Sequence, residues 1–113
     1  MHELGVVIEV VKQVEEFAGE NNIRQIKTLV LQVGELCSMV PKYIEDVYPI
    51  AVEQTILKDT ELKIETAPGM VRCEDCGFGY NVIQNDHKCP RCKSAKWEVI
   101  SGTEFLIKEI IAK

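Results

Sequence analysis

The sequence predicts an α+β fold: a small mixed sheet packed by two helices, with an inserted zinc-ribbon-like four-cysteine domain. Three observations carry this. Apolar residues change from helical spacing to strand spacing and back again along the N-terminal part of the chain. Two C-x-x-C pairs follow, bracketed by the breaks Ala67-Pro68-Gly69 and Ser101-Gly102. A β-rich run then closes the sequence.

From Leu4 to Ala18, apolar residues fall at Leu4, Val7, Ile8, Val11, Val14 and Ala18, the spacing that lines one face of a helix. Val6, Val10 and Phe17 widen that face, and Glu9, Lys12, Gln13, Glu15, Glu16 and Glu20 mark the wet side. So broad a stripe suits packing on a sheet. Gly19 to Asn22 supplies the stop. Ile26 to Leu36 alternates with a period of two, Leu29, Leu31 and Val33 on one face and Thr28, Val30 and Gln32 on the other, which reads as a strand. Pro41 opens a second helical pattern, where proline is tolerated in the first turn, with Ile44, Val47 and Ala51 facing inward. Pro49 has no N–H and crowds the preceding turn, so it is expected to kink this helix or move its end.

Glu61 to Thr66 alternates again, with Leu62 and Ile64 inside and Glu61, Lys63 and Glu65 outside. Beyond the cysteine segment, Thr103 to Ile111 places Phe105, Ile107 and Ile111 on one side and Leu106 and Ile110 on the other. This last strand is expected to return to the first sheet, which brings the two ends of the inserted module together. The expected domains are therefore 1–68 with 102–113, and 69–101.

Composition narrows the class. With 46% apolar and 27% charged residues, the 113-residue chain has the balance of a soluble globular protein that can bury a core. No apolar stretch approaches the roughly 18 to 20 residues of a membrane span, and no basic-then-apolar leader opens the sequence, so a cytoplasmic location without membrane association is expected. A net charge of −5 gives no drive toward a phosphate backbone, and nucleic acid is not expected as a partner. The local cluster Arg72, Lys88, Arg91, Lys93 and Lys96 is the one place where a patch for it would hide. No Ser-His-Asp order, phosphate loop or arranged pair of acids emerges, so the chain is not expected to be an enzyme.

The sharpest motif is Cys73-Glu74-Asp75-Cys76-Gly77 with Cys89-Pro90-Arg91-Cys92, two C-x-x-C pairs separated by twelve residues. Two thiolates three positions apart on a tight turn reach one ion, and two such turns face to face complete a tetrahedral four-sulfur site. Gly77 permits the close turn after the second ligand, and Pro90 fixes the backbone within the second knuckle. Such a site leaves no open position and holds structure without activating water. Zn(II) is the expected ion; a rubredoxin-like iron site uses the same knuckles, and two disulfides are the non-metal alternative. His87 reads as a solvated loop histidine, with a role as an alternative ligand left open. Trp97 is expected to pack the small core of the module. Cys37, the remaining cysteine, reads as a buried small hydrophobe.

Met1-His2-Glu3 directly precedes the first helical pattern. The terminal amine, the His2 amide once deprotonated and the His2 imidazole form one chelate of three nitrogens, and Glu3 or an outside group would supply a fourth ligand. Nitrogen-rich planar sets suit Ni(II) and Cu(II) better than Zn(II). The alternative is an ordinary solvated first turn, where an acid is favourable.

Met1-His2-Glu3, the strand ending in Gly34-Glu35-Leu36, and two C-x-x-C knuckles ahead of a final strand together resemble the HypA/HybF family, the hydrogenase and urease nickel-incorporation proteins. The resemblance covers essentially the whole chain. It implies a nickel-binding α/β domain with an inserted zinc domain, and delivery of nickel during maturation of NiFe-hydrogenase. The implied nickel ligand is His2, with Met1 and Glu3 accompanying it; the implied zinc ligands are Cys73, Cys76, Cys89 and Cys92. The implied partners are the GTPase HypB and the NiFe-hydrogenase large-subunit precursor, with urease maturation factors as a further candidate and a homodimer left open. Cys37 and Pro49 depart from the family pattern. A zinc-ribbon module binding protein or nucleic acid is the competing reading.

Overall fold

The computed structural model describes residues 3–113. Among these the elements run α1 (Glu3–Glu20), β1 (Ile26–Gly34), α2 (Pro41–Val52), β2 (Glu61–Ala67), β3 (Met70–Cys73), β4 (Gly79–Asn81), β5 (Trp97–Val99) and β6 (Phe105–Ala112). The strands make two sheets, ordered β2-β1-β6 and β4-β3-β5. The chain divides into two compact units, one of Met1–Gln32, Met39–Glu65 and Leu106–Lys113, the other of Val33–Ser38 and Thr66–Phe105. The α+β class holds, and the final strand does return to the first sheet.

α1 buries Val7, Val10, Val11, Val14 and Ala18 and packs on α2. Its apolar face is narrower than the sequence suggests: Ile8 is 43% and Phe17 46% exposed. At 100° per residue both fall at the rims of the arc centred on Val7 and Val14, which explains the difference. The helix stops where Asn22 takes the left-handed conformation, φ 57°, and the Ile23 N–H turns back to the Ala18 carbonyl at 2.8 Å, a capping arrangement that asparagine tolerates.

β1 and β2 run in the same direction: the Thr60 hydroxyl donates to the Ile26 carbonyl at 2.7 Å near their starts, and the Glu35 N–H to the Ala67 carbonyl at 2.9 Å at their ends. α2 supplies the crossover that a parallel pair needs. β6 runs the other way, with the Gly34 N–H on Glu104 and the Lys113 N–H on Gln25, so the sheet is mixed. As the central strand, β1 buries Ile26, Thr28, Leu29, Val30 and Leu31 on both faces. It ends at Gly34, short of the expected Leu36. Lys108 on β6 reaches over it to Glu65 on β2, Nζ to Oε1 at 2.6 Å, and the long stems help roof the middle strand.

α2 buries Ile44, Tyr48 and Val52, while Val47 and Ala51 are only half-buried. The inward face is thus rotated from the expected Ile44, Val47 and Ala51. Tyr48 supplies the reason: its hydroxyl donates to the Thr60 carbonyl at 3.1 Å, and burial pushes its pKa up to about 12. The helix continues through Pro49 to Val52. Pro49 and Glu45 are both exposed, so the Glu45 carbonyl that the proline deprives of a helical partner faces water.

The second unit has its own core of Val71, Cys73, Tyr80, Val82 and Cys89, against which Leu36 and Trp97 pack. Trp97 has the packing role expected of it. Glu35 joins the segment beside Leu36 to this unit: its Oε1 accepts from the Gly69 N–H at 2.8 Å and from Asn81 Nδ2 at 3.1 Å. Those two bonds, Gly69 first, hold the carboxyl pKa below its ordinary 4.5. Because the folded value is depressed, the stabilisation is complete above the unfolded value and is lost as pH falls through it toward the folded one. Glu35→Gln keeps an acceptor but loses the charge. Denaturant unfolding should therefore show wild type above Glu35→Gln at pH 7 and the gap narrowing as pH falls below the ordinary carboxyl value; a gap independent of pH would refute this role.

Candidate metal centre

Each half of the centre is the same local construction. In the first knuckle the Gly77 N–H donates to the Cys73 carbonyl at 2.9 Å, and the Cys73 N–H to the Phe78 carbonyl at 2.9 Å. In the second, the Lys93 N–H donates to the Cys89 carbonyl at 2.8 Å, and the Cys89 N–H to the Ser94 carbonyl at 2.9 Å. Gly77 and Lys93 occupy the same place in the turn and share its left-handed conformation, φ 77° and 68°. Glycine takes it freely, whereas lysine accepts a cost of about 1 kcal/mol. β3 presents Cys73, and pairing with β4 and β5 fixes it: Val71 lies opposite Tyr80 and Val99, and Cys73 opposite Trp97. The knuckles are also tied to each other, since the Ser94 hydroxyl donates to Asp75 and the Glu74 N–H to the Lys96 carbonyl at 3.1 Å.

These turns bring the sulfurs of Cys73, Cys76, Cys89 and Cys92 within 4.8 Å of one another, the one such group of metal-ligating side chains among the described residues. Cys73 and Cys92 stand 3.5 Å apart and Cys76 and Cys89 3.6 Å. A tetrahedron with bonds of about 2.3 Å puts its sulfurs about 3.8 Å apart, so the cluster fits one four-thiolate zinc ion. No disulfide links them. Cys73 and Cys89 are buried, while Cys76 and Cys92 face solvent.

The electrostatics agree with a cation-binding role. Burial opposes ionisation of Cys89, yet the amides of Cys92 and Arg91 and the neighbouring thiols outweigh it and bring its pKa down to about 7. Cys73 is lowered likewise, against burial, by the amides of Cys76 and Asp75. Cys92 goes the other way: the Ser94 amide favours its thiolate, but Cys73, burial, Cys76 and Cys89 push it up to about 12. Cys76 is also raised, the Phe78 amide being overcome by burial and by Cys89 and Cys73. Four thiolates this close repel one another, so two ionise at the expense of two. A dication at their centre stabilises all four at once.

The other expected site residues are distributed as follows. Met1 and His2 lie outside the described residues. Glu3 opens α1 and is 5% exposed, beside a cleft of about 240 Å³ that Leu4, Tyr43, Asp46 and Val47 also line. This departs from the solvated first turn that the sequence offered as the alternative; the signal that would have shown it is spacing, since Glu3 stands four residues before Val7 and seven before Val10, within the buried arc. His87 is exposed and stands outside the sulfur cluster. Cys37 is half-buried, less enclosed than expected. Arg72, from the basic cluster, is bound to Glu98, its cross-strand partner, with Nε 2.9 Å from Oε1. Tyr80 and the turn role of Lys93 carried no sequence signal beyond the analogy of Lys93 with Gly77. Among the described residues no helix is long and apolar enough to cross a membrane.

Comparison with known proteins places this architecture. The family model described as hydrogenase/urease nickel incorporation, metallochaperone, hypA matches residues 1–112. The chain is 35% identical over 107 residues to the hydrogenase maturation factor HypA of Moorella thermoacetica, covering 95% of each chain. It is 34% identical over 110 residues to that of Trichodesmium erythraeum, covering 97% of this chain and 94% of the relative. Its fold is that of the Ni metallochaperone HypA from Helicobacter pylori in solution, with a TM-score of 0.68 at 24% identity over 99% of this chain and 97% of that one. A second solution structure, of a HypA protein, gives 0.71 at 23% identity over 100% and 97%. With a match that runs nearly end to end and takes in both cysteine knuckles, the chain belongs to the HypA family of hydrogenase/urease nickel-incorporation metallochaperones.

Proposed function

We propose that this protein carries nickel and not a catalytic site: it takes up Ni(II) at His2, with the Met1 amine and Glu3 completing the set, and delivers it in the cytoplasm during maturation of NiFe-hydrogenase. The observation that carries this reading is the family match, which includes residues 1–3 as well as the four cysteines. The relatives' description as hydrogenase maturation factors supports a place in hydrogenase maturation; within it, the large-subunit precursor is the proposed recipient and HypB the proposed assisting GTPase. The family description names urease beside hydrogenase, so urease maturation factors are the second class of recipient to test.

The two metals have opposite tasks on this reading. Zn(II) at Cys73, Cys76, Cys89 and Cys92 fills a closed site, so when bound it supplies structure and no reactive position. The chain itself holds those thiolates in two like turns and feeds them amide hydrogen bonds. Nickel meets a short set of ligands from one end of α1, which a partner can displace one at a time. Divalent copper would bind such a nitrogen set more tightly, so selectivity comes from metal supply and partner recognition.

Calorimetric titration with nickel, with zinc quantified in each sample, tests the assignment. Wild type should take up one equivalent and His2→Ala none, both with zinc intact. Stoichiometric nickel binding by a folded, zinc-replete His2→Ala protein would overturn it.

A further inference from the structure

Tyr80 lies in the middle of the second unit and is 3% exposed. Its hydroxyl is the one buried side-chain oxygen or nitrogen among the described residues with no hydrogen-bond partner. An orphaned hydroxyl in a core is costly, and replacement by phenylalanine would be the cheaper solution if the ring alone mattered. Its surroundings are specific. Tyr80 on β4 stands opposite Val71 on β3, two residues before Cys73. Residues two apart on a strand share a face, so the phenol and the Cys73 side chain lie on the same side of the sheet. Tyr80 packs in one cluster with Cys73 and Cys89, the two buried members of the sulfur site.

The sulfurs change character when metal binds. As thiols they donate as well as accept, and they pair among themselves, Cys73 with Cys92 and Cys76 with Cys89. As four metal-bound thiolates they only accept, and two of them, Cys73 and Cys89, place that negative charge where water does not reach. Amides already serve them: Cys76 and Asp75 donate to Cys73, and Cys92 and Arg91 to Cys89. Tyr80 adds the one side-chain hydroxyl of this five-residue core. Groups that hydrogen-bond to metal ligands tune how tightly the ion is held.

We propose that Tyr80 donates its hydroxyl proton in a hydrogen bond to the metal-bound thiolate of Cys73 or Cys89, and so slows loss of the metal from the four-cysteine site. It is a positioning residue and does not ligate. The proposal rests on the reading that these cysteines hold a metal ion.

Tyr80→Phe removes one oxygen and keeps the ring, so the packing of the unit is preserved. Wild type and variant are loaded with zinc, challenged with excess chromogenic chelator, and separately titrated with Co(II). The variant should bind one zinc per chain but surrender it about tenfold faster. Its thiolate-to-cobalt charge-transfer band should move to lower energy, because sulfurs without the donor give up charge more readily. Superimposable cobalt bands with equal or slower zinc transfer would overturn the role of Tyr80 while leaving the metal site intact. A wild-type protein that takes up neither zinc nor cobalt would remove the metal site and this inference together.

Discussion

Replacing Cys89 with serine is expected to empty the four-sulfur site and unfold the unit that contains it. Cys89 is 0% exposed and lies in a core of five residues, two of which, Cys73 and Cys89, belong to the sulfur cluster itself. Such a core buries too little apolar surface to stand without the metal. Structural zinc contributes about 10–16 kcal/mol to small domains of this type. Serine does not ionise at neutral pH, so the site falls to three thiolates and loses its tetrahedral closure. Metal analysis should show less than about a tenth of an equivalent of zinc. Hydrogen exchange should show protection lost in β3, β4 and β5 and kept in α1, whose core of Val7, Val11, Val14 and Ala18 belongs to the other unit. Retained protection in β3 would show that the knuckles stand without metal.

Gly34→Ala should be nearly as damaging for a different reason. A Cβ at Gly34 would lie 1.9 Å from the Gly102 carbonyl oxygen, 2.1 Å from its carbon and 2.8 Å from the Thr103 nitrogen. All three are backbone atoms, so no side chain can swing away. The Leu36 N–H also bonds to that Gly102 carbonyl at 2.7 Å, and moving it breaks the bond. The expected loss is about 3 kcal/mol or more. Gly19→Ala is the matching contrast: a Cβ there meets nothing within 4 Å, and alanine in place of glycine near a helix end should gain about 0.5–1 kcal/mol. Urea midpoints measured side by side should move in opposite directions. Equal midpoints for wild type and Gly34→Ala would mean that this backbone approach is not rigid.

Much of this was legible before any coordinates, and the exceptions have physical causes. The alternation of β2 survives, with Glu61, Lys63 and Glu65 exposed and Leu62 and Ile64 half-buried, and the helical period of α1 survives in its buried valines, whereas β1, covered on both faces as the central strand, shows no alternation of burial. The inward face of α2 rotated because Tyr48 found a carbonyl at Thr60, a partner whose position only the folded chain defines. The short strands β3, β4 and β5 left no periodic trace, since runs of three or four residues are too brief to show alternation. The spacing of the cysteines revealed the sulfur cluster because a tetrahedral site dictates it. The bond from Glu35 to Gly69 and Asn81 was invisible, because one carboxylate has no pattern. Lys93 concealed the likeness of the two knuckles by standing where the first has Gly77.

On the proposed function, one chain holds two metals of opposite lability: nickel in an open nitrogen set near His2, and zinc in a closed sulfur site. Nickel binding must compete with protons on an imidazole of pKa near 6.5 and an amine near 8. Zinc, on the proposed assignment, would be held by four thiolates ionising together around the ion, two of them on buried cysteines. The most direct test is to load the protein with both metals, lower the pH stepwise from 8, and measure each metal retained after desalting. Nickel should leave between about pH 7 and 6 while zinc remains with the chain to about pH 5. Release of both metals together, or of zinc first, would contradict the claim.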